Sequence, residues 1–277
     1  MSLTEAQRGR SRLWLYCALL ALVALAGLSG CASGPGGVDG GRDSVRFTDS
    51  DEPEIRKRAR IRLELAVGYF EQGKTTVALD EIKQSLIADP DFADAYNARG
   101  LIYMRLNDLR LAEDSFDRAM ALNPRDANVQ HNYGWLLCQQ ARYPEAEKAF
   151  KQALANPNYA GRAKSWLTLG LCQIKAGQRA EAEHSLIKSF ELDAANPVTG
   201  YNLATLLFQR GDFSHAQFYI RRLNNSQLAN AETLWLGIKV ERRLGNRVAA
   251  EQLAGQLRKG FPRSRELESF ERGAFNE

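Results

Sequence analysis

The chain has 277 residues, 44% of them hydrophobic and 25% charged, with 37 Lys and Arg against 33 Asp and Glu for a net charge of +4. That is the balance of a folded protein of one or two domains. It excludes a dedicated nucleic-acid surface, which needs clustered basic side chains, and four cysteines are too few for a disulfide-built scaffold.

The first predicted element is an export signal over residues 1–30. Arg8, Arg10 and Arg12 precede an apolar run from Leu13 to Leu28. About 16 apolar residues behind a basic start suit a signal peptide better than a spanning helix, which takes roughly 20. Its removal leaves 34 basic against 32 acidic residues. The run ends in Leu28-Ser29-Gly30-Cys31, which resembles the lipobox of bacterial lipoproteins. Small residues at Ser29 and Gly30 fit a peptidase cleft, and the Cys31 thiol is the nucleophile that accepts diacylglycerol. Each buried CH₂ of the acyl chains holds the anchor by about 0.8 kcal/mol. This covalent lipid is the only added group expected; no cofactor is. Ala32 follows where an Asp would resemble an inner-membrane retention signal, so the expected address is the periplasmic face of a Gram-negative outer membrane. Residues 31–53 are then the lipidated cysteine and a flexible tether. Gly34, Gly36, Gly37, Gly40 and Gly41 break any apolar periodicity, and a reach of roughly 25 Å follows from the tether's length.

Residues 54–262 repeat. Small residues recur at Ala66, Gly100, Gly134, Gly170, Ala204 and Gly237, about one 34-residue period apart. A second series runs Ala78, Ala112, Ala146, Ala182, Ala216 and Ala250. A third, one helical turn later, runs Ile82, Phe116, Phe150, Leu186, Ile220 and Ala254. This resembles the tetratricopeptide repeat, a helix–turn–helix unit. The small residue lets the first helix of a unit (A) approach the second (B), and the large apolar residue fills the space beside the crossing. Gly73, Gly177, Gly211 and Gly245 mark turns, and Pro90, Pro124, Pro157, Pro197 and Pro262 close units. The expected fold is all-α: a right-handed superhelical solenoid of six tetratricopeptide units at 59–92, 93–126, 127–162, 163–196, 197–229 and 230–262. Residues 263–277 form a tail with a short C-terminal capping helix.

In such solenoids the A helices line the concave face. Repeat positions 2, 5, 9, 12 and 13 give a candidate partner-binding groove of Leu63, Val67, Phe70, Asn97, Leu101, Met104, His131, Trp135, Leu171, Ile174, Tyr201 and Phe208. Asn97, Trp135 and Tyr201 are the leading members. Apolar and aromatic anchors beside amides suit an extended or helical peptide, although any one apolar position could equally serve packing between repeats.

No His-x₃-His or Cys-x₂-Cys spacing points to a metal. His131 and Cys138 stand about 10 Å apart along one helix, out of reach for a nucleophile pair. No phosphate loop or nucleophile elbow is present, so no catalytic residue and no small-molecule substrate is expected. Cys138 and Cys172 lie on A helices of adjacent repeats. A periplasmic disulfide is open to them, but repeat positions 12 and 10 suggest different facings and favour two buried thiols.

One stretch is more specific: His131-Asn132-Tyr133-Gly134-Trp135-Leu136-Leu137-Cys138 followed by Arg142-Tyr143-Pro144-Glu145-Ala146. With Leu169-Gly170-Leu171-Cys172 and Gln217-Phe218-Tyr219-Ile220-Arg221-Arg222, it resembles the PilF/PilW lipoproteins of type IV pili, often called pilotins. The resemblance implies a partner, the outer-membrane secretin of the pilus, which such proteins help to localise and to assemble into multimers. A lipoprotein scaffold for peptidoglycan enzymes or envelope assembly remains the alternative.

Overall fold

The computed structural model describes residues 52–275. The expected export signal, Cys31 and all but the last two tether residues lie outside the described residues. Thirteen helices and no strand occur among those described. Six antiparallel pairs come first: α1 (Glu54–Glu71) with α2 (Thr75–Ala88), α3 (Ala93–Arg105) with α4 (Leu109–Leu122), and α5 (Ala127–Gln139) with α6 (Tyr143–Leu154). Then follow α7 (Arg162–Lys175) with α8 (Arg179–Leu192), α9 (Pro197–Arg210) with α10 (Phe213–Asn224), and α11 (Ala231–Arg243) with α12 (Arg247–Gly260). The short α13 (Arg265–Glu271) packs on α11 and α12. Odd-numbered helices α1 to α11 are the A helices; their even partners are the B helices.

The repeat residues explain the pairing. A Cβ added at Gly100 would meet the Phe116 ring at 2.5 Å, one at Gly134 the Phe150 ring at 3.1 Å, and one at Gly170 the Leu186 side chain at 2.8 Å. The large residue of each B helix thus occupies the space that the small residue of its A helix leaves open. Phe116, Phe150, Ile82, Leu186 and Ile220 are fully buried there. Each such core continues into the next A helix, so every unit buries its open side on its neighbour.

Helix starts follow capping chemistry. Asp108, Asp126, Asn196, Asp212 and Ser264 accept first-turn amide protons, and Asn230 forms a capping box with Thr233. Pro197 does not close a unit as expected. It opens α9 behind the Asn196 cap, where its missing N–H costs nothing. The A-to-B turn needs one residue with positive φ. Gly73, Gly177, Gly211 and Gly245 supply it, and at the same place in the second and third repeats stand Asn107 and Ala141, each at φ 60°.

The structure corrects the expectation of two free thiols. Cys138 on α5 and Cys172 on α7 form a disulfide, with Cα atoms 5.8 Å apart. Neighbouring A helices run parallel, so they touch through opposite sides. A residue at position 12 of one helix meets a residue at position 10 of the next. Phe70 and Ile102 share one core, as do Met104 with Leu136 and Ile174 with Leu206. The cysteines occupy that same place in the third junction, and their different facings bring them together.

Candidate peptide groove

Recesses open toward each end of the A-helix face. The first, of about 600 Å³, lies over α1 and the start of α3; its apolar floor is Leu63, Val67 and Phe92, and Arg56, Arg60 and Asp94 rim it. Val67 is 42% exposed. Burial, reinforced by Asp126, raises the Asp94 carboxyl above its usual range.

The second recess, of about 370 Å³, lies between α9 and α11. Tyr201, Thr205 and Phe208 come from α9, Trp235 and Lys239 from α11, with Glu232 at the start of α11 and Glu266 from α13. Lys239 Nζ sits 5.5 Å from the Phe208 ring centre and 5.4 Å from that of Trp235. Burial pushes its ammonium below the ordinary lysine range. Burial likewise raises the Tyr201 phenol, and the nearby Glu232 and Glu266 charges add to that.

Between the recesses the expected groove residues are half-buried and shared with the junctions. Asn97 accepts a hydrogen bond from Asn132 Nδ2 at 3.0 Å across the repeat boundary. Leu101 and Met104 pack on the core around Phe116. Phe70 is covered by Arg105, whose guanidinium stands 4.1 Å from the ring centre, and Trp135 by Lys175 at 5.0 Å. Ile174 packs against the next core, and Leu171 is half-buried.

His131 is not on the groove. It is 4% exposed, its Nδ1 is 2.8 Å from Ser165 Oγ, and its ring meets Phe150 edge-on. Burial, with Lys164 nearby, pushes its pKa down to about 4. The ring therefore stays neutral and serves as a polar core contact. Its repeat position points toward the next A helix, which covers it.

The structure thus brings together Leu63 with Val67, and Tyr201 with Phe208. Sequence reasoning missed Glu232, Trp235, Lys239 and Glu266. They stand on the side of α11 that looks back at the preceding repeat, or on the cap. Among the described residues no three His, Cys, Asp or Glu side chains gather as a metal site would require.

Models of the tetratricopeptide repeat match residues 91–157 and 131–197. The type IV pilus assembly protein PilF of Pseudomonas aeruginosa is 29% identical over 254 residues, covering 92% of this chain and 97% of PilF. A solved structure of Pseudomonas aeruginosa PilF superposes with a TM-score of 0.72 at 27% identity, spanning 80% of this chain and 100% of that one. The crystal structure of PilW, a type IV pilus biogenesis factor, gives 0.69 at 30% identity, spanning 79% and 99%.

Proposed function

Because the chain belongs to the PilF/PilW family of tetratricopeptide-repeat proteins of type IV pilus biogenesis, we propose that it is a pilotin: an outer-membrane lipoprotein that binds the pilus secretin and promotes its localisation and multimer assembly. The observation that carries this reading is the match to PilF along nearly the whole of both chains. The A-helix face supports it with two open recesses in which apolar or aromatic side chains stand among charged ones, a surface that offers a peptide segment both anchors and polar partners. The function is non-enzymatic. The repeats offer a shaped surface, and the work is delivery: acyl chains on Cys31 carry the complex to the outer membrane while the solenoid holds a secretin segment.

Deletion of the gene tests the reading. We expect loss of secretin multimers from the outer membrane and loss of twitching motility, and Cys31→Ala should mislocalise the protein and lower multimer yield. Normal multimers and motility in the deletion strain would refute the pilotin role. Recovery of murein enzymes without secretin in a pulldown would identify an envelope scaffold instead.

A further inference from the structure

The recess between α9 and α11 carries two carboxylates beside an aromatic wall. At one end Glu232 and Glu266 flank Tyr201; at the other Lys239 lies over Phe208 and Trp235. No ion pair found among the described residues takes up either carboxylate, although sixteen ion pairs engage charged groups elsewhere on those residues. The two carboxylates come from different elements. Glu232 stands in the first turn of α11 and Glu266 in the first turn of α13. The capping helix is held there by Leu267, which is buried, and by Phe270 and Phe275 packed around Trp235. The cap therefore does more than cover an apolar end: it adds a charge to the recess.

We propose that this recess selects an extended partner segment carrying an arginine, its guanidinium seated against Tyr201 and paired with Glu232 and Glu266. The aromatic wall and the two carboxylates match a planar cation that stacks and hydrogen-bonds through a fork; a compact ammonium satisfies one demand at a time. This assignment rests on the reading of the A-helix face as a peptide groove and names what that groove takes at its C-terminal end.

The test uses the full mature chain and its Glu232→Gln/Glu266→Gln variant. One probe set is a series of synthetic peptides of equal length that differ only in Arg, Lys, Gln or Glu at one position. The other is overlapping 15-residue peptides that tile the secretin of the same organism. Arginine peptides should bind about 10-fold or more tightly than their glutamine counterparts, as charge-assisted hydrogen bonds predict. The preference should weaken with added salt and collapse in the double variant, with thermal stability unchanged. If the double variant does not fold, the two single variants carry the same comparison. Retention of the arginine preference after the carboxylates are neutralised overturns the assignment. Secretin peptides that bind both proteins equally overturn it while leaving the pilotin reading intact. An arginine preference with no secretin peptide bound upholds it and overturns the pilotin reading.

Discussion

At the scale of single residues, His131 and the cysteine pair set testable stabilities. His131 is neutral in the folded chain, with its pKa near 4 against 6.5 for a free imidazole. Below pH 6.5 the unfolded chain takes up the proton first, so stability falls as pH drops from 6.5 toward 4 and levels off beneath that. The loss attributable to this group is about 2 kcal/mol by pH 5. Denaturant titrations at pH 7 and pH 5 should show it, and His131→Asn should remove that part of the slope; an unchanged slope in the variant would assign it to other groups. The disulfide closes a span of 34 residues, and its loss in Cys138→Ser/Cys172→Ser should cost about 3–4 kcal/mol through freedom regained by the unfolded chain. A melting temperature insensitive to both the double substitution and reducing agent would contradict the bond's structural role.

At the scale of elements, the A-to-B turns expose a local compromise. Ala141 holds φ 60° in a place where four other repeats use glycine. A Cβ in that left-handed conformation is strained. Ala141→Gly should therefore raise stability by about 0.5–1 kcal/mol, the relief of strain exceeding the extra freedom of the unfolded glycine. Equilibrium unfolding decides it, and a lower midpoint for the variant would show that the turn carries no strain. The helices themselves were legible in the sequence, because the small residues, the alanines and the large apolar partners recur together at the spacing of the crossing. The disulfide was not, although both cysteines were placed on the right helices. Periodicity tells which side of a helix a residue occupies, and neighbours in a parallel stack meet through unlike sides. His131 was misplaced for the same reason, as the next A helix covers its ring and Ser165 gives it a hydrogen-bond partner.

At the scale of the whole molecule, the repeat order was readable and the site was readable only in part. Tyr201 and Phe208 lie together in the recess between α9 and α11. Trp235 and Lys239 belong to the back-facing side of the last A helix, and Glu266 to the capping helix, neither of which the repeat positions within one unit describe. A groove between successive units takes its forward wall from one repeat and its rear wall from the next. Positions tabulated within a single unit describe only one of those walls. The same nearest-neighbour logic governs stability, since each unit's core is completed by the unit after it.

The bond between Cys138 and Cys172 has a mechanical consequence. A stacked array stretched from its two ends yields unit by unit, each unit paying out its contour length as it lets go. The covalent link near the middle takes the 34-residue span out of the line of force. Roughly 110 Å of extension is thereby withheld, however hard the array is drawn. The linked span from the end of α5 into α7 acts as a rivet between two extensible arms, so a load applied at one end still reaches the other through a segment that cannot lengthen.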